Sequence, residues 1–155
     1  MSEEKDNPGI ITHPPVFYIA AVLISIGLNR LYALSLGDYE ILETLAIVIA
    51  SASIIILVMA TKLFKDNSQS PSVHATSVKI YTGGVYGYSR NPIYVGATSL
   101  LIAAALYFSN GWMLISVLPI LYIMTNLVII KEEVYLEEKF GQEYMDYKKK
   151  VRRWI

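Results

Sequence analysis

Apolar residues along the chain fall into four long runs separated by short polar interruptions. The first extends from Val16 to Leu36 and is broken by Asn29 and Arg30; the second, Ile41 to Phe64, is dense in Ile, Val, Leu and Ala. The third runs from Pro92 to Phe108 and the fourth from Trp112 to Ile130, with only Ser109, Asn110 and Gly111 between them. A helix rises about 1.5 Å per residue, so about 20 residues cross the ~30 Å hydrocarbon layer. Each run is long enough, or nearly so, to span a membrane, and the last two predict a tight helical hairpin. The expected fold class is all-α. It is a single-domain integral membrane bundle over 1–155 with about four transmembrane helices, a cytoplasmic polar loop over 65–90 and a cytoplasmic helical extension over 131–155.

Composition agrees with that pattern and narrows the chemistry. Hydrophobic residues make up 54% of the 155 and charged residues only 17%, which is too apolar for an ordinary soluble domain. Thirteen basic residues balance thirteen acidic ones, so net charge gives no reason to expect nucleic acid. Their distribution is uneven. Lys62, Lys65, Lys79 and Arg90 flank or lie in the long loop, and Lys131, Lys139, Lys148, Lys149, Lys150, Arg152 and Arg153 follow the fourth run. Because Lys and Arg stay on the cytoplasmic side, a multi-pass protein of the plasma (cytoplasmic) membrane is expected, with both termini and the long loop in the cytoplasm. The acidic start lacks a basic n-region and a small-residue cleavage site, so the first apolar run is expected to remain in the mature protein. There is no cysteine, which excludes thiolate metal sites and cysteine nucleophiles. His13 and His74 are isolated, and no metal site is expected from either.

The hairpin brings two polar points to one level. Asn91 lies about twenty residues before the turn and Glu132 about twenty after it, each ~30 Å from the turn along its helix. Asn91 followed by Pro92 is a helix start, whose exposed N–H groups and dipole favour anionic groups. Arg90 and Tyr94 lie within one turn of it. The fourth helix has no stop signal before Gly141, and Glu132, Leu136, Phe140 and Tyr144 recur every four residues. That spacing turns Glu132 toward the protein and Glu133 and Glu137 toward water. A carboxylate so placed requires a cation, either Arg90 or a cationic ligand. Taken singly, Arg90 can be a positive-inside anchor, and Tyr81, Tyr86, Tyr88 and Tyr94 an interfacial aromatic belt. The terminal YKKKVRRWI is expected on anionic lipid headgroups, with Tyr147, Val151 and Trp154 turned inward.

The joint order carries more than its parts. The stretch Thr82-Gly83-Gly84-Val85-Tyr86-Gly87-Tyr88-Ser89-Arg90-Asn91-Pro92-Ile93-Tyr94-Val95-Gly96 is followed by the hairpin, then by Glu132-Glu133, Leu136, Phe140-Gly141, Glu143-Tyr144, Tyr147 and Val151-Arg152-Arg153-Trp154. This resembles the isoprenylcysteine carboxyl methyltransferase family, particularly its short prokaryotic members, and more distantly the phospholipid N-methyltransferases. The resemblance covers roughly the C-terminal half. It implies S-adenosyl-L-methionine as cofactor, held by Val78, Lys79, Ile80, Tyr81, Tyr86, Asn91, Pro92, Ile93, Tyr94 and Glu132, with Arg90 and Glu132 as the catalytic pair. Aromatic faces and a carboxylate are suited to a sulfonium cation. Eukaryotic members have His at the position of Asn91, and an Arg assigned to the substrate carboxylate where Val128 stands. Lys131, one turn on, can take that role.

The implied activity is methyl transfer to a membrane-embedded, lipid-tailed acceptor entering from the bilayer. A prenyl lipid or fatty acid-like carboxylate fits, giving O-methylation, and so does an amine headgroup, giving N-methylation. A nicotinamide-dependent lipid reductase is disfavoured, because Gly83, Gly84 and Gly87 follow no strand and no basic cluster for a 2′-phosphate is present. A non-enzymatic scaffold explains the basic tail but not Glu132 beside the Asn91 helix start.

Overall fold

The computed structural model describes Pro8 and residues 13–38, 40–66 and 79–155, and among these it contains helices and no strand. Helix α1 is Pro14–Leu31, α2 is Glu40–Asp66 and α3 is Pro92–Tyr107. A single 3₁₀ turn, Gly84–Gly87, precedes α3. Beyond the hairpin come α4 (Gly111–Ile115), α5 (Val117–Ile123), a π-helical stretch over Met124–Ile129, α6 (Ile130–Phe140) and α7 (Gln142–Lys150).

Among the described residues, three segments are long and apolar enough to cross a membrane: α1, residues Glu40–Leu63 of α2, and the continuous 30-residue run Gly111–Phe140. Helix α3 is apolar but has 16 residues, about 24 Å of rise. It lies between its neighbours, and seven of its residues, including Tyr94, Thr98 and Leu101, are buried. The outward faces of α1 and α2 carry Ile19, Leu23, Ile24, Ile47, Val48, Ile54 and Ile55 in the open, as suits helices whose solvent is lipid.

Sequence chemistry explains the breaks. Pro14 and Pro15 open α1, and Asn29 closes it by accepting the Leu34 N–H on its side-chain oxygen at 3.0 Å, so the helix ends at Leu31 rather than at Leu36. Arg30 stands exposed in its last turn. In the long C-terminal run, Pro119 has no N–H to give to Ile115, and the helix breaks at Ser116. The Asn126 amide donates to Tyr122 O at 2.8 Å inside the π-helical stretch, where the backbone ladder is loosened.

The hairpin turn is tied down on both sides. Asn110 Oδ1 caps α4 by accepting the Met113 N–H at 3.1 Å. Ser109 Oγ accepts from Leu36 N and donates to Gly37 O, and Gly111 N donates to Leu34 O at 2.7 Å. A Cβ at Gly111 would lie 2.9 Å from that same Leu34 oxygen, so only glycine allows this approach. At the other crossing, Gly96 packs directly against Leu57 and Ser53 of α2. The main core joins Ala21 of α1 and Tyr94, Leu101 and Ala105 of α3 to Met113, Val117, Ile120, Met124, Val128 and Ile129.

Candidate functional site

The antiparallel hairpin brings the start of α3 to the first turn of α6, as equal spacing from the turn requires. Tyr94 Oη donates to Glu132 Oε1 at 2.8 Å, and Arg90 Nη2 donates to Glu133 Oε1 at 2.6 Å. These pairs bridge 38 and 43 residues of sequence.

The carboxylates divide differently from the expected pattern. Glu133, expected to face water, is buried with 4% of its surface exposed, and it takes Arg90 on one oxygen and Arg153 on both, at 3.0 and 2.8 Å. Lys148 stands 4.0 Å away and pairs more closely with Glu137. Glu132 is half-buried, and no Lys or Arg among the described residues lies within ion-pair distance of it. Arg90 therefore partners Glu133, not Glu132. The physical reason lies at the end of the chain: α7 and the residues after it fold back over α6 and carry Arg153 and Lys148 to the Glu133 side. Adjacent helical residues are about 100° apart, so a broad contact face includes both carboxylates.

Both Nη atoms of Arg90 are engaged. Its Nη1 donates to Lys148 O and Val151 O at 3.1 and 2.8 Å, its backbone N–H donates to Arg152 O, and its Nε is buried without a hydrogen bond among the described residues. Asn91 occupies the N-cap position of α3, but its side chain does not cap. Instead Nδ2 donates to Arg153 O at 2.9 Å, while Tyr94 N and Val95 N turn back to Asn91 O. The helix start consequently offers fewer free N–H groups than an Asn-Pro opening suggests. A carbonyl can only accept, so the amide end facing Arg153 is Nδ2, and Asn91 Oδ1 makes no hydrogen bond among the described residues.

The other expected residues differ in their burial. Tyr81, Tyr86, Pro92 and Tyr94 are buried around the α3 start, Ile93 is half-buried there, and Ile80 is buried against Tyr144, Tyr147 and Val151. The tilted rings of Tyr81 and Tyr86 pack with centroids 6.1 Å apart, and Tyr147 Oη donates to Tyr86 O at 2.7 Å. Burial pushes the Tyr86 phenol above its ordinary range and the Tyr147 phenol up to about 12, so both keep their protons at neutral pH. Lys79 is exposed, as is Tyr88 at 82%, which separates Tyr88 from the other tyrosines. Lys131 is exposed and forms no ion pair among the described residues; Val128 is fully buried in the same core as Tyr94. Val78, His74 and the rest of 67–78 within the expected loop lie outside the described residues.

Tyr94 also borders a second feature. An apolar groove of about 460 Å³ opens between α1, α2 and α3, lined by Pro14, Tyr18 and Val22, by Leu57, and by Ile93, Tyr94, Ala97, Leu101 and Ala104. Its depth along α3, from Tyr94 to Ala104, is about 15 Å. Tyr18 Oη bonds Thr98 Oγ1 at 2.9 Å, removing both hydroxyls from the free polar surface. Sequence reasoning missed Tyr18, because an aromatic in an apolar run carries no signal of its own.

Comparison with known proteins places the chain in a family. A family model described as phospholipid methyltransferase matches residues 42–143. An uncharacterized protein of Haemophilus influenzae is 38% identical over 63 residues, which make up 41% of this chain and 100% of that protein. A protein-S-isoprenylcysteine O-methyltransferase of Tribolium castaneum is 30% identical over an alignment covering 92% of this chain and 52% of that protein. The chain thus spans all of the first relative and about half the length of the second. No solved structure matches it. The family match runs from α2 into α7 and contains both site blocks, Arg90 to Tyr94 and Glu132-Glu133, and by that match this membrane protein belongs to the phospholipid methyltransferase family.

Proposed function

We propose that this chain is an S-adenosyl-L-methionine-dependent methyltransferase acting on a lipid-tailed acceptor that reaches the site from within the bilayer, with a carboxylate as the group methylated. One residue carries the reading. The ring of Tyr94 lines the apolar groove, and its hydroxyl holds Glu132 at 2.8 Å, so a hydrocarbon tail and a cation-binding carboxylate meet at a single side chain.

The residues suit the cofactor. Glu132 is a carboxylate without a cationic partner among the described residues, Asn91 Oδ1 is an acceptor, and the rings of Tyr86 and Tyr94 offer π faces; together they match a ligand bearing a sulfonium and an ammonium. When bound, the cofactor supplies an electrophilic methyl group. The protein's part is to hold the acceptor oxygen in line with it and to exclude water. A carboxylate acceptor is already a nucleophile at neutral pH and needs no base; an amine would have to lose a proton, for which Glu132 is the available acceptor. Arg90 is a positioning residue, since both of its Nη atoms serve Glu133 and the C-terminal carbonyls. Val128 is packed in the core, and Lys131 is the cation left to meet an acceptor carboxylate or a lipid phosphate.

The likeness to the Tribolium O-methyltransferase supports the carboxylate; the family description supports a phospholipid amine as the alternative. The cationic pattern favours a plasma-membrane protein with both termini cytoplasmic, and the exposed Lys149, Lys150 and Arg152 suit anionic headgroups. Calorimetric titration of the detergent-solubilised protein with S-adenosylhomocysteine and with NADPH tests the cofactor. Saturable binding of the first and none of the second is expected; the reverse would replace the methyltransferase by a reductase.

A further inference from the structure

The residues that follow α7 are pinned across the start of α3. Ser89, Arg90 and Asn91 together donate to the carbonyl of Lys148 in the last turn of α7 and to those of Val151, Arg152 and Arg153 beyond it. On the other side, the Arg153 guanidinium grips Glu133 in α6, and Trp154 Nε1 donates to Thr125 Oγ1 at 3.2 Å in the π-helical stretch. Trp154 also packs against the core that contains Tyr94. This segment therefore touches the α3 start, the first turn of α6 and the helix leading into it, and it lies beyond the 42–143 match.

We propose that residues 151–154 form a strap that sets the cofactor-facing geometry of the site, with Arg153 and Glu133 as its positioning residues. The proposal rests on the cofactor reading above. The strap acts at one atom in particular. By accepting the Asn91 Nδ2–H, Arg153 O fixes which end of the amide faces the strap, and Oδ1, without a hydrogen bond among the described residues, is left to receive a donor such as the cofactor's ammonium. Without the strap the amide is free to rotate and present its NH₂, which would repel that cation. The ion pair from Arg153 to Glu133 holds the segment in place and orients the helical turn that bears Glu132.

The test uses the full chain in detergent with the substitutions Arg153→Ala, Arg153→Lys and Trp154→Phe. Arg153→Ala should weaken S-adenosylhomocysteine binding and raise the S-adenosylmethionine KM by about tenfold, the usual effect of losing one charge-assisted hydrogen bond. The KM for the lipid acceptor should stay put, and Arg153→Lys should recover part of the loss. Trp154→Phe keeps an aromatic ring at the position while removing the indole donor and part of the ring volume, so a smaller change of about threefold is expected. It also serves if Arg153→Ala does not fold, which thermal unfolding reports. Wild-type binding of S-adenosylhomocysteine with no change in Trp154→Phe and in folded Arg153→Ala would overturn the strap alone. Failure of the wild type to bind would overturn the cofactor reading and the strap with it.

Discussion

Glu132 and Glu133 are adjacent in sequence and have opposite duties. Glu133 is the shared counter-charge of two guanidinium groups in a buried place, and removing it leaves Arg90 with no counter-charge in a site of 7% side-chain exposure. Glu133→Ala should therefore destabilise the protein by about 3–5 kcal/mol, seen as a lower midpoint in chemical unfolding. Glu132 has the Tyr94 hydroxyl as its partner, and Glu132→Gln keeps the shape and an acceptor oxygen. It should leave the unfolding midpoint nearly unchanged and weaken S-adenosylmethionine binding by about 1–3 kcal/mol. Equal effects of the two substitutions on stability would show that their duties are not divided. The spacing of Leu136 and Phe140 was enough to turn Glu132 toward the protein, but it could not reveal Glu133. That required knowing that Arg153, twenty positions later, returns across the same helix.

Among the elements, the hairpin was the most legible. Two apolar runs separated by Ser109, Asn110 and Gly111 dictate antiparallel neighbours, and equal counts from the turn dictate that Asn91 and Glu132 share a level. Its turn is correspondingly exacting. Gly111→Ala would press a methyl group against Leu34 O, a backbone atom that cannot swing aside, and should cost about 1–3 kcal/mol in the same unfolding assay. A midpoint equal to that of the wild type would show that the 33–38 segment yields readily. The π-helical stretch and the return of the tail were less legible. Six residues of π-helix have no distinctive composition, and the cations of YKKKVRRWI fit a lipid surface as well as they fit Glu133. Tyr147, Val151 and Trp154 do turn inward, but against the tyrosines of the α3 start and the main core.

On the scale of the whole molecule, every proposed polar site element gathers at one end of the bundle, and the apolar groove runs from that end along α3. If that end is cytoplasmic, single cysteines replacing Glu3, Ser70 and Lys150 should react with an impermeant maleimide only from inside, and one replacing the exposed Phe108 only from outside. External labelling at position 70 would contradict the orientation.

The central claim is methyl transfer to an acceptor held by its tail, and it is tested most directly by turnover. Methyl transfer from S-adenosylmethionine should be measured against acceptors of one headgroup and increasing acyl or prenyl length, in one detergent. Each buried methylene contributes about 0.8 kcal/mol, so kcat/KM should rise steeply with length until the groove is filled. A parallel headgroup pair, carboxylate against primary amine, assigns O- or N-methylation. Transfer independent of chain length, or no transfer to any tailed acceptor, would contradict the claim.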